Sequence, residues 1–538
     1  MSDTVRRTAI AVVACCSFVL TLAGSAVGVG PGAQESSAIN ASDTSTAGAV
    51  VRGASASVVN NPGLTARSGG EWEVVGTLPA GFNNVHLAST PSGRSLILIA
   101  GSGNNRSRFA AGTFESYWYQ LSTGAFSRIP TPTDLFCSGH AYVRNSLLVM
   151  GGTAAYDTPE HDFIGARHAY LLDPVTRRYT AVQDMADGRW YPAAVRTGAG
   201  SVVVTSGFGS DGLQNRTTEV YEPGTRTWTM MSGETRWGGL YPNLFLNHDG
   251  KLFYSGGHTF GTGNSPPTLW DYTTNAFTPV EGDSDTPHRD QAAAFMVGAA
   301  NDWRVVIAGG GNGADKTTVA STAYIDLKEA TPRWQAGPSL AHAKMYVLAV
   351  TLPNEQTLIT GGASRPRTAG TSVLEAELMD PSGTQLTLVN APTVPRAYHS
   401  AAALAYDGSV YVVGGNPPGV RAERRIERYL PPYMFADDPP RITGLSSRVV
   451  NSGDTLTVAT RSEHAITSVK FVAPMATTHS YDSNQRVVRA DIVAQTATSV
   501  EVSVPADRNL MPPGPWMVFV TDDRNVPNRN AASVTLRD

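Results

Sequence analysis

The sequence has almost no cysteine: three in 538 residues, at Cys15, Cys16 and Cys137. The first two sit in an apolar run near the N-terminus, so beyond that run Cys137 stands alone and no intramolecular disulfide framework is available. Clustered basic charge is also missing. The 41 Lys and Arg residues are scattered among 45 Asp and Glu for a net charge of −4, which argues against a nucleic-acid partner. No long stretch carries an apolar period of 3.6 residues, which excludes a helical bundle. What is present is 41% hydrophobic residues in a chain too long for one simple domain, enough for several substantial cores.

Residues 1–30 read as a signal peptide or N-terminal membrane anchor: Arg6 and Arg7 supply positive charge ahead of an apolar run from Ala9 to Gly30. The paired arginines suit a twin-arginine signal. The body of the protein is then secreted or otherwise extracytoplasmic. Oxidising compartments favour paired cysteines, so a lone Cys137 reads either as a small buried hydrophobe or as a reactive or modified thiol. Residues 31–70 are rich in Ser, Ala, Thr and Gly and bury too little to offset chain entropy, so a flexible linker is expected.

From residue 71 to 438 short β-type runs alternate with Gly, Pro, Asp and Asn. One unit repeats, an apolar strand running into a small-residue or double-glycine break: Leu96–Gly101, Leu147–Gly152, Val202–Gly207, Leu252–Gly257, Val305–Gly310, Leu358–Gly362 and Val410–Gly415. The spacing is roughly 52 residues, close to a kelch blade. A single blade cannot bury both faces, but seven stacked radially can, which predicts a seven-bladed propeller with a central channel. The glycines themselves are expected to relieve crowding at tight turns. After the Pro-rich exit Tyr429-Leu430-Pro431-Pro432-Tyr433, residues 439–538 carry strands at Thr455–Val458, Ser468–Val472, Ser499–Val504 and Trp516–Val520, as in an immunoglobulin-like β-sandwich.

Chemistry has to come from residues the repeat does not require. Arg396-Ala397-Tyr398-His399-Ser400 places a phenol beside an imidazole. Strand neighbours point to opposite faces, so both address one centre only if the backbone bends there. His479 lies in a polar turn of the C-terminal domain, and Gly188-Arg189-Trp190-Tyr191-Pro192 puts another tyrosine at a blade entrance.

With Phe136-Cys137-Ser138-Gly139, these segments resemble the copper-radical oxidase family that includes galactose oxidase and glyoxal oxidase. The likeness is ordered and covers most of the chain. Through Arg-Trp-Tyr-Pro and Leu240-Tyr241-Pro242 it looks closest to the bacterial, glyoxal-oxidase-like branch. The resemblance implies one copper ion held by Tyr191, Tyr398, His399 and His479. It further implies a thioether between Cys137 and the Tyr191 ring that forms a one-electron cofactor, and a proton-accepting role for Tyr398. Two imidazoles, a phenolate and an open position make the N,O environment Cu(II) prefers, and a cation at the phenol oxygen lowers its pKa. The implied reaction is two-electron oxidation of a primary alcohol, carbohydrate or hydrated aldehyde, with O2 reduced to hydrogen peroxide by a monomer. The glycine-rich turns run into further β structure and open no helix, so no flavin or nicotinamide fingerprint is present.

One departure stands out. Where galactose oxidase covers its thioether with tryptophan, Phe208 lies in or near the matching position, with Trp190 and Trp237 as alternatives that read equally as shielding rings or as ordinary packing. His86, His258, Arg289 and Gln291 are read as structural rather than functional. Two other readings remain, a non-enzymatic kelch-propeller binding module and an exported structural or glycan-binding envelope protein with the sandwich as its adhesive part; membrane association through the N-terminus is open in each.

Overall fold

The seven apolar runs all become the second strand of an antiparallel sheet in the computed structural model, which describes residues 64–237, 239–261, 265–416 and 422–538. The expected leader at 1–30 and residues 31–63 of the expected linker lie outside the described residues. In blade 1 the sheet runs His86–Ser89, Ser95–Gly101, Glu115–Gln120 and Ala125–Pro130 from channel to rim. Blades 2 to 6 repeat this order, with inner strands Ser138–Val143, Ala193–Arg196, Leu244–Leu246, Ala293–Met296 and Leu348–Thr351. Inner and second strands are buried along nearly their whole length, because each blade face packs against a neighbouring blade. This explains why they read as continuous apolar runs rather than as alternation.

Blade 7 closes the ring. Its strands Ser400–Leu404, Val410–Gly414 and Arg425–Leu430 come from the end of the propeller sequence, and its outermost strand, Glu71–Thr77, comes from the beginning. Residues 64–70, expected to belong to a flexible linker, are instead packed against the propeller. Ala66–Gly69 form a helical turn, Gly69 is buried, and its carbonyl accepts the Tyr429 hydroxyl at 3.1 Å. Composition missed this because what orders the turn is distant: Asn390 Nδ2 also donates to Gly70 O, at 2.6 Å.

The C-terminal domain is a curled β structure in the order Arg441–Leu445, Thr455–Arg461, Ser499–Ser503, Val487–Gln495, Ile466–Val472, Gly514–Asp522, Ala532–Leu536, Val449–Val450. The long strand Val487–Gln495 serves both layers: Val487–Ala490 pair with Val469–Val472, and beyond that Asp491–Gln495 pair with Val500–Ser503. A strand that switches layers in this way turns a sheet into a sandwich.

This domain does more than pack on the propeller. Its segment Ala476–Thr478 enters the channel and pairs antiparallel with the inner strand of blade 1, His86 opposite Thr478. A clamp holds the two domains together: Glu355, buried on the blade 6 hairpin, receives the half-exposed Arg489 through Nε at 2.9 Å and Nη2 at 2.5 Å, and buried Lys470 Nζ at 3.2 Å.

Candidate metal centre

The entrances to the inner strands share one backbone feature. Cys137, Tyr191, Tyr241, Gln291, Tyr346 and His399 begin blades 2 to 7 with φ of 62°, 67°, 42°, 57°, 64° and 65°. Left-handed conformations at non-glycine residues are uncommon and cluster at functional sites. Successive entrances are also hydrogen-bonded to one another, Tyr191 N–H to Cys137 O at 2.9 Å and Tyr241 N–H to Tyr191 O at 3.0 Å. The bend demanded of Tyr398 and His399 is therefore present. The left-handed turn at His399 cancels strand alternation, leaves the two rings 3.8 Å apart, and lets both reach Tyr191.

Buried arginines anchor the two tyrosine segments. Arg189 donates to Ser206 O, Thr217 O and Glu219, and Arg396 donates to Gly414 O and Arg425 O with Glu427 at 3.7 Å. The double glycines contribute from the neighbouring blade: Gly152 N–H donates to Arg189 O at 3.0 Å, and Gly362 N–H to Arg396 O at 2.7 Å. A Cβ on Gly151 (φ 74°) would lie 2.2 Å from Arg189 O, so here glycine permits a close backbone approach as well as a turn.

The donor atoms meet at the Tyr191 oxygen. His479 Nε2 lies 3.0 Å from it, His399 Nε2 lies 3.5 Å away, and the Tyr398 hydroxyl touches it. Ligand atoms of Cys137, His399 and His479 all fall within 4.8 Å of one another. All five residues are buried, including His479, which as a turn residue would ordinarily be solvated. Strand pairing puts it there: His479, itself at φ 53°, directly follows the inserted strand Ala476–Thr478.

Burial lowers the pKa of His399 to about 3 and that of His479 well below its ordinary value, with the neighbouring histidines adding to the fall at His479. Both imidazoles are therefore neutral, the form that binds metal. Each has its other nitrogen engaged, His399 Nδ1 with Asn416 Oδ1 at 2.9 Å and His479 Nδ1 with Thr478 Oγ1 at 2.8 Å. The Nε2 lone pairs are thereby directed at the Tyr191 oxygen. Two oriented neutral imidazoles and two phenol oxygens converging on one buried point fit a copper ion.

The rings around Tyr191 are arranged differently from the expectation for Phe208. Trp190 is the near ring, 4.1 Å from Tyr191 and tilted by 46°, while Phe208 lies parallel to Trp190 at 5.7 Å, one layer further out. Phe163 stacks on Trp190 at 4.1 Å. Tyr241 flanks Tyr191 at 4.5 Å and Phe260 at 6.0 Å. Trp237 packs with Tyr254 and Trp270 in the blade 4 core.

Of the four polar residues read as structural, Arg289 spends its guanidinium on Gly309 O and Ser321 O, and His258 Nδ1 contacts Gly256 O. Gln291 is a buried blade entrance whose amide atoms have no partner among the described residues. His86 accepts the Cys137 N–H at 3.1 Å and so touches the site. Sequence reasoning missed Asn416 and gave Thr478 no role although it directly precedes His479; the fold places both on the histidine Nδ1 atoms. It used Tyr241 only as part of a motif, although Tyr241-Pro242 repeats Tyr191-Pro192 at the next entrance.

A family model described as glyoxal oxidase N-terminus matches residues 101–433, and one described as galactose oxidase-like, early set domain, matches residues 439–535. The chain is 27% identical over 447 residues to a galactose oxidase of Gibberella zeae, covering 77% of this chain and 63% of that protein. The chain thus spans less than two thirds of the length of that relative. It is 24% identical over 521 residues to the aldehyde oxidase GLOX of Vitis pseudoreticulata, covering 84% of this chain and 95% of that protein. Among solved structures, a fungal alcohol oxidase of the AA5 family in complex with copper superposes with a TM-score of 0.75 at 24% identity, over 87% of this chain and all of its own.

Proposed function

The chain belongs to the glyoxal oxidase family of copper-radical oxidases, and from that premise we propose that it oxidises a primary alcohol or hydrated aldehyde with dioxygen, releasing hydrogen peroxide. The observation that carries this reading is the convergence of His399 Nε2, His479 Nε2 and the Tyr398 hydroxyl on the Tyr191 oxygen. A propeller serving only as a binding platform has no use for two neutral, buried, oriented imidazoles at a phenol.

In this reading His399, His479, Tyr191 and Tyr398 hold copper, which when bound supplies a Lewis-acidic position for the substrate oxygen and accepts one electron. Cys137 Sγ would be bonded to the Tyr191 ring. Tyr398 takes the proton of the substrate hydroxyl. Tyr191, in its oxidised radical form, takes a hydrogen atom from the adjacent carbon, so that the substrate loses two electrons and two hydrogens in all. Dioxygen receives them as hydrogen peroxide. The buried aromatic wall of Trp190, Tyr241 and Phe260 keeps water from the oxidised ring. The Arg6-Arg7 leader supports action outside the cytoplasm.

The test is copper-loaded protein assayed for oxygen consumption and peroxide release against simple aldehydes, primary alcohols and sugars. Turnover with one of these classes is expected, and its identity sets the substrate. Full copper occupancy without peroxide from any of them overturns the reading.

A further inference from the structure

His86 and Thr478, paired across the domain boundary, form hydrogen bonds that the oxidation chemistry does not by itself require. The Cys137 amide can only donate, so at 3.1 Å His86 Nε2 is an acceptor and the His86 proton sits on Nδ1. His86 Nδ1–H then donates to Thr478 Oγ1 at 2.7 Å. Thr478 Oγ1 is also 2.8 Å from His479 Nδ1. In the copper reading His479 Nε2 is a ligand, so its proton is on Nδ1 and it too donates to Thr478. The hydroxyl has two lone pairs, and both are used. Tyr241, whose ring lies 5.1 Å from that of His479, donates to Ser138 O at 2.7 Å.

We propose that Thr478 is a positioning residue that sets the tautomer and orientation of the metal ligand His479 and, through His86, fixes the Cys137 backbone relative to it. The inference rests on the copper reading above. Thr478 touches neither substrate nor metal. Its hydroxyl is the only group in the network that accepts from both imidazoles, so without it the His479 ring is free to rotate or to place its proton on Nε2, where it cannot bind a cation. Partners that orient a ligating histidine typically contribute 10- to 100-fold to metal affinity.

The experiment compares the whole chain with Thr478→Val and Thr478→Ser. The readouts are Cu(II) affinity by chelator competition and the nitrogen hyperfine pattern of the bound Cu(II) in electron paramagnetic resonance. Thr478→Val conserves volume and removes the hydroxyl, so ~10- to 100-fold weaker binding and an altered nitrogen pattern are expected. Thr478→Ser should restore both. Should Thr478→Val fail to fold, Thr478→Ala replaces it with the same expectation. Wild-type affinity and an unchanged spectrum in the hydroxyl-free variant overturn the positioning role alone. A wild-type chain that takes up no copper overturns the copper reading, and this inference with it.

Discussion

The backbone N–H of Tyr191 donates to the carbonyl of Cys137 at 2.9 Å, locking the entrance of blade 3 to that of blade 2. Both residues are fully buried, both are left-handed, and both belong to one aromatic cluster with Trp190 and Tyr241. Cys137 and Tyr191 are 54 positions apart in sequence, yet the rung between them leaves neither free to move alone.

That coupling leads to the first expectation. Copper loading in air should form the Cys137–Tyr191 thioether, with dioxygen taking up the two hydrogens that are lost. Intact mass should fall by two hydrogen atoms in the wild type and stay constant in Cys137→Ala. An unchanged wild-type mass at full copper occupancy would falsify the cross-link.

Asn416 holds His399 as Thr478 holds His479, through Nδ1 at 2.9 Å. Asn416→Ala is expected to weaken Cu(II) binding by about tenfold or more. Chelator competition measures this, and equal affinity would show that the His399 ring is held by packing alone.

Ring order around Tyr191 predicts an asymmetry between two aromatic substitutions. Trp190→Phe should shorten the lifetime of the oxidised, radical-absorbing form, because Trp190 is in contact with the Tyr191 ring. Phe208→Ala should change that lifetime less, since Phe208 lies against Trp190 rather than Tyr191. Decay of the visible absorption after oxidation reports both, and a larger effect from Phe208→Ala would contradict this assignment.

Arg396 is buried, with Glu427 and two backbone carbonyls as its partners. Arg396→Met leaves those carbonyls unpaired and Glu427 buried without its cation, a loss of about 3–5 kcal/mol. Urea unfolding should show it, and a loss below about 1 kcal/mol would mean that the glutamate is neutral or reaches water.

Glu355 gives the domain clamp a pH dependence. Burial alone would push its carboxyl up, but hydrogen bonds from Arg489 and the charge of Lys470 more than offset this and hold it below the ordinary carboxylate range. A folded-state pKa below the unfolded value of about 4.3 contributes stability that is present above that value and lost as pH falls through the folded pKa. Wild type should therefore be more stable than Glu355→Gln at neutral pH, with the gap closing below about pH 4. A gap independent of pH would remove the carboxylate from the clamp.

Much of this architecture was legible locally. A strand ending in Gly151-Gly152 or Gly414-Gly415 announces itself within a handful of residues, because strand period and turn chemistry are short-range properties, and counting such runs is counting blades. Cys137, Tyr191, Tyr398, His399 and His479 could likewise be singled out from short motifs. The helical turn Ala66–Gly69 could not, since its low apolar content hides contacts with Tyr429 and Asn390, more than three hundred residues away.

What the sequence alone determined was which side chains exist and how many blades carry them. Whether they meet was decided by the tertiary structure. The bend that lets Tyr398 and His399 share a centre is a left-handed φ at an ordinary residue, which no glycine marks. His479 is delivered by a strand from another domain pairing with His86, and His86 and Thr478 are 392 residues apart. Asn416 gains its relation to the site from tertiary packing alone, whereas Thr478 and Trp190 adjoin His479 and Tyr191 in sequence and only their contacts there were decided by the fold. Local periodicity encodes the elements. Long-range pairing, which depends on every element at once, encodes the site.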